Sequence, residues 1–285
     1  MTKNQIAIAR QAHRAAMSFR RSAGKTYWEP VCIYDLADAA GIEVRFLDLP
    51  SMEGMYCKSA NPMIIINSLR PSGRKAYTCA HELGHHVFGH GTHIDELGDG
   101  YLRRPPKEYL ADVFAGFLLM PKVGVLRALN LRTWSLSVLS PIEIYTLAGY
   151  FGVGYTTFVF HLHESLGMIS ASTRDSLSAP KLIEVRSMLL GEDCRKNLVV
   201  VENSWAERAV DAEVGDLILG PRDSKNEGCC IEYVKTISRG NLYQGVAQGI
   251  GKLVLGDGTW SAFVRVSKKD FVGRSIFRHL EDPEG

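Results

Sequence analysis

An α+β fold is predicted by three observations. Helical patterning fills the first two thirds of the chain and is interrupted by one alternating and one β-branched strand run. The last third is a succession of short apolar runs between Gly, Asp and Asn turns, which reads as a β-rich module. Composition supports a packed core: 285 residues are 46% hydrophobic and 22% charged, which excludes collagen-like, low-complexity and largely disordered classes. Residues 1–130, 131–178 and 179–285 are the expected modules.

Each element has a local reason. Lys3 to Arg21 is alanine-rich with scattered bases, an amphipathic helix. Val31 to Ala40 is a second helix that Gly41 stops. IEVRFLDL (42–49) alternates and MIIIN (63–67) is β-branched, so both are strands. Ser72 is placed to cap a helix running to about Gly89. A Gly/Asp-rich loop is expected over 91–104. Pro105-Pro106 then opens a helix over Lys107 to Met120, and Pro121 ends it or starts the next turn. Residues 141–169 suggest two short helices around Gly-Val-Gly, and 171–180 is small and polar, a linker. Lys181 to Leu190 is helical. Strands are expected at 198–201, 216–219, 230–234, 252–255 and 262–266.

The net charge is +2, from 33 basic and 31 acidic residues, and no segment has the basic excess of a nucleic-acid module. The opening MTKNQIAIARQAHRAAMSFRR carries charges throughout, so no secretory signal is expected. No run of about 18 predominantly apolar residues is read, so neither is a membrane span. A cytoplasmic protein with six reduced thiols is the expectation, Cys229-Cys230 being a buried structural pair.

The informative string is AHELGHHVFGH (80–90). It holds His81-Glu82-Leu83-Gly84-His85, an H-E-x-x-H motif in a predicted helix. Positions i and i+4 share a helix face, so His81 and His85 can point two imidazole nitrogens at one metal ion. Glu82 sits beside that face and suits the role of a base for the attacking water. A catalytic site needs a third protein ligand. One option is a His in H-E-x-x-H-x-x-G-x-x-H, but position 88 is Phe and position 91 is Gly. His90 and His93 are at the wrong offsets and are expected to be solvated loop residues. The other option is Glu108, from a later helix. Its E-x-x-x-D spacing places Asp112 on the same face, where it can accept the spare N–H of a ligand histidine. The set His81, His85 and Glu108 accepts Zn2+, and Mn2+ or Fe2+ as well. Metal-assisted peptide hydrolysis follows, with Glu82 as proton carrier. Tyr77, His86, Tyr109 and His90 are candidates for holding the oxyanion, and MIIIN is a candidate edge for an extended substrate.

GRKAYTCAHELGHHVFG with EYLADVFAGFLLMP (108–121) resembles the ImmA/IrrE family of metallo-endopeptidases. The likeness covers about residues 30–170, two separated motifs agreeing in order and spacing. It implies a thermolysin-like zincin fold, gluzincin-like, in which His81, His85 and Glu108 bind metal and Glu82 is the base. The longer members resemble this chain in layout: peptidase domain, helix-turn-helix-like segment, then a GAF-like sensor. The implied activity is cleavage of a helix-turn-helix transcriptional repressor, which derepresses stress, DNA-damage or mobile-element genes.

One departure stands out. YTTFVFHLHESLG (155–167), the would-be recognition helix, has no Arg or Lys and offers only His161 and His163. Direct DNA binding is therefore not expected. The competing readings are a DNA- or protein-binding regulator with a vestigial metal site and a protease of a toxin–antitoxin or defence module. A small-molecule or protein inducer is expected to act at the C-terminal module.

Overall fold

The computed structural model describes residues 3–96, 105–206 and 208–280. The elements run α1 (Lys3–Ser22), α2 (Ile33–Ala39), β1 (Glu43–Leu47), β2 (Met52–Cys57), β3 (Met63–Asn67), α3 (Ser72–Val87), β4 (His93–Glu96), α4 (Pro106–Leu119) and α5 (Lys122–Leu131). Helices α6 (Pro141–Tyr150), α7 (Tyr155–Phe160), α8 (Ala171–Ser178) and α9 (Leu182–Leu190) follow. The strands β5 (Leu198–Val200), β6 (Ala209–Glu213), β7 (Leu217–Gly220), β8 (Ser224–Glu227), β9 (Ile231–Ile237), β10 (Gly240–Gly245), β11 (Gly249–Leu255), β12 (Ser261–Ser267) and β13 (Gly273–Arg274) complete the chain. They divide into two compact units. One takes residues 1–139, 151–178 and 272–276, and the other takes 140–150, 179–271 and 277–285.

The first unit is built on a five-stranded sheet of order β13-β1-β3-β2-β4. β3 runs parallel to β1 and antiparallel to β2, so MIIIN is a central strand paired on both sides. That explains its unbroken β-branched run: Ile64 and Ile66 are fully buried. It also overturns the expectation that MIIIN offers an edge. Among the described residues the edge on the β2 side is β4, which lies within the segment expected to be loop and pairs with β2. Residues 97–104 of that loop lie outside the described residues.

Helix α3 packs on β2 and β3, and α4 packs on both α3 and α1. Ser72 is not the cap of α3. Pro71 holds that place at φ −55°, and its carbonyl accepts the Arg74 and Lys75 N–H groups. At the far side of the core, the fully buried Arg20 of α1 donates to the carbonyls of Leu118, Thr26 and Glu29. Three carbonyl acceptors replace the water a buried guanidinium would otherwise need. The run Pro106–Leu131 is long and apolar enough to cross a membrane, which corrects the sequence reading; 67% of its 18-residue apolar window is buried, as in core helices.

The expected helical module 131–178 is shared between the units, α6 belonging to the second and α7 and α8 to the first. The expected linker at 171–180 folds as α8. Ser170 accepts the Thr173 N–H at its start, Leu177 is buried, and Tyr155 donates to the Leu177 carbonyl. α7 continues as one π-helical turn over His161–Ser165. His161 is buried in it and hydrogen-bonds through Nε2 to the Met120 carbonyl, its pKa pushed down to about 4 by burial. It is a core histidine, not a base-reading one.

The second unit holds two four-stranded sheets, β5-β7-β10-β9 and β6-β12-β11-β8. Leu189 and Leu190 of α9 close over Leu198, Leu217, Leu219 and Leu242 of the first sheet, with Ile142 and Tyr145 of α6 beside them. On the second sheet Asp211 takes a paired contact from Arg265, at 2.5 and 2.9 Å, and faces Arg278 at 3.3 Å and His279 at 3.5 Å. Burial opposes ionisation of Asp211, but the His279 hydrogen bond and the two guanidinium charges outweigh it and hold the carboxyl well below the usual range.

A depressed carboxylate pKa stabilises the fold above the unfolded value of about 3.9, and that stability is lost as pH falls below it. About a third of the Asp211 side chain is exposed (35%), which limits the effect to roughly 1 kcal/mol. Asp211→Asn is thus expected to destabilise the second unit at pH 7 and to narrow its gap to wild type as pH falls towards 3, read by thermal unfolding. A gap independent of pH contradicts the assignment.

Candidate metal centre

Helices α3 and α4 can meet closely because position 84 is glycine. A Cβ there would lie 3.0 Å from the Ala111 Cα, 3.2 Å from its Cβ and 3.2 Å from the Phe114 ring. Small residues face each other at the crossing, so the helix backbones approach. The histidines at 81 and 85 flank that crossing on α3, and Glu108 and Asp112 flank it on α4.

The approach brings together the five residues singled out in sequence. His81 Nε2 lies 3.1 Å from His85 Nε2 and 3.2 Å from Glu108 Oε2, and the third edge, His85 Nε2 to Glu108 Oε2, is 3.5 Å. Metal–ligand bonds of about 2.0–2.2 Å at tetrahedral angles separate donor atoms by about 3.3–3.6 Å. The triangle therefore fits one face of such a site to within a few tenths of an ångström. His81 Nδ1 meets Asp112 Oδ1 at 2.9 Å, which leaves Nε2 for the site. Glu82 is fully buried on α3, next to His81.

The electrostatics suit a cation. Burial alone disfavours a charged His81, but the Asp112 and Glu108 carboxylates reverse that and raise its pKa far above the ordinary value. Burial likewise opposes the Glu108 carboxylate, yet hydrogen bonds with His81, His85 and His93 pull its pKa well below the usual range. His85 is shifted down, by burial first. Two carboxylates thus make the surroundings of His81 favourable to positive charge.

His93, which the sequence reading sets aside as a solvated loop residue, stands at the site. Strand β4 turns it back to the site, with Nε2 3.3 Å from Glu108 Oε2, and the donor atoms of His81, His85, His93 and Glu108 all lie within 4.8 Å of one another. Nothing in the sequence near it carries strand alternation; pairing with β2 creates the strand. Its ring stacks on His85, with centroids 3.9 Å apart and planes at 7°. In this arrangement His93 hydrogen-bonds Glu108 rather than completing the donor triangle.

Three of the four residues considered for the oxyanion are otherwise engaged. Tyr77 donates to the Asp112 carbonyl at 2.9 Å, and His86 meets the Tyr56 hydroxyl at 2.8 Å. His90 lies 3.0 Å from the outer nitrogen of His85. Tyr109 is half-buried, and burial raises its pKa. His93, partly exposed, is a polar ring beside the donor atoms.

Gly84→Leu should push α4 from α3. The expected outcome is a loss of about 1–3 kcal/mol in urea unfolding and at least about tenfold weaker metal binding in a chelator competition. Unchanged values in both would show that the close crossing does not set the site.

Among known proteins, residues 37–163 match the family described as the IrrE N-terminal-like domain, a peptidase family. No curated protein matches. Among solved structures, a Mycobacterium tuberculosis transcriptional regulator aligns at 17% identity with a TM-score of 0.36, over 56% of this chain and 52% of that one. The match thus spans about half of that protein's length.

Proposed function

We propose that this chain is a metal-dependent endopeptidase of the ImmA/IrrE family, gluzincin-like and using zinc, a reading supported by the match of residues 37–163 to the IrrE N-terminal-like domain. The observation that carries this reading is the donor triangle of His81, His85 and Glu108 with the buried Glu82 beside it. When bound there, the ion supplies Lewis acidity: it polarises the scissile carbonyl and makes water a nucleophile near neutral pH. The same three donors accept Mn2+ or Fe2+.

The chain's own residues do the rest. Asp112 fixes the tautomer and orientation of His81. Glu82 takes a proton from the attacking water and returns it to the leaving amine, so one carboxylate serves as base and then acid. β4, the end strand of the sheet among the described residues, is the edge proposed to take an extended substrate, and His93 on that strand is the polar ring proposed to meet the carbonyl oxygen.

The substrate class proposed is a helix-turn-helix transcriptional repressor, cut to derepress stress, DNA-damage or mobile-element genes in the cytoplasm. An inducer acting on the second unit is part of that proposal.

Purified wild type is expected to hold about one ion per chain by mass spectrometry, with His81→Ala and Glu108→Ala each holding almost none. Glu82→Gln should keep its ion and lose about 10²- to 10⁴-fold in repressor cleavage. Full cleavage by Glu82→Gln would overturn the mechanism, and a wild type that takes up no ion would overturn the metal reading.

A further inference from the structure

The end of α3 carries a feature that the proposed mechanism does not use. The helix closes in a Schellman motif. Gly89 sits in the left-handed region at φ +67°, its N–H bonding the His86 carbonyl at 3.1 Å, and the His90 N–H bonds the His85 carbonyl at 3.0 Å. Gly91, at φ +86°, then turns the chain away. In such caps the second residue past the helix commonly makes an apolar contact with the residue whose carbonyl it binds. Here that pair is His90 and His85, and the contact is polar. The Nδ1 atoms lie 3.0 Å apart, with the ring planes at 71°.

We propose that His90 is the positioning residue for His85, accepting its Nδ1–H and so presenting its Nε2 to the metal, as Asp112 does for His81. The inference rests on the reading of His81, His85 and Glu108 as metal ligands. A ligand imidazole that binds through Nε2 carries its proton on Nδ1 and needs an acceptor there. The atom in place is His90 Nδ1, which must present a lone pair and carry its own proton on Nε2. The helix cap supplies the rigidity, because the backbone of His90 is tied to the residue its ring orients. His81 and His85 are thus held by different means, a carboxylate from α4 and a neutral imidazole from the cap of their own helix.

Two variants of similar size separate this role from mere packing. The Oδ1 of an asparagine superposes on His90 Nδ1, so His90→Asn keeps an acceptor, whereas His90→Leu removes it. Zinc affinity of the full chain, measured by competition with a chromophoric chelator, is expected to fall about 10- to 100-fold in His90→Leu and to stay within about threefold of wild type in His90→Asn. Nitrogen-15 imidazole spectra of the zinc-loaded protein should show His85 protonated at Nδ1 and His90 at Nε2. Wild-type affinity in His90→Leu, equal loss in both variants, or a proton on His90 Nδ1 would overturn the proposal. Wild type without zinc affinity would instead overturn the ligand reading on which it stands, and the proposal with it.

Discussion

The site depends on one contact, the close crossing of α3 and α4 at Gly84 and Ala111. A helix presents residues four apart on the same face, so each helix offers a pair: His81 and His85 from one, Glu108 and Asp112 from the other. Neither pair forms a site alone. At this separation the donor atoms fall 3.1–3.5 Å apart, and the Asp112 carboxylate reaches the outer nitrogen of His81. A side chain at position 84 would force the helices to shift. The glycine inside the motif therefore has a packing role as definite as the chemical roles beside it.

The rest of the first unit supports that crossing. The sheet beneath α3 has a fully paired, apolar central strand. Arg20 ties α1 to the last turn of α4 through the Leu118 carbonyl. The burial that this produces has an electrostatic consequence. Removed from water, His81 meets a burial penalty on its charged form that the carboxylates of Glu108 and Asp112 together outweigh, so the pocket favours a cation.

Much of this was legible in the chain because it is local. Helical spacing pairs His81 with His85 and Glu108 with Asp112, and the strong periodic segments give α1, α3, α4 and α9 to within a few residues. What was not legible is non-local. Strand β4 has almost no apolar pattern and exists through its ladder with β2, so His93 read as loop. MIIIN was readable as a strand, but its central place follows from strand order. α8 looked like a linker because its residues are small and polar; its start rests on a hydroxyl cap and its hold on one buried leucine. His90 fitted no ligand offset, and its relation to His85 comes from a left-handed glycine that sequence alone marks only as a helix stop.

The central claim is that His81, His85 and Glu108 hold one metal ion. X-ray absorption at the zinc edge of the loaded full-length chain tests it most directly. The account predicts an oxygen and nitrogen shell at about 2.0–2.2 Å with the outer scattering of two imidazoles, reduced to one in His85→Ala. A sulfur shell at about 2.3 Å, or a spectrum unchanged in His85→Ala, would place the ion elsewhere and contradict the account.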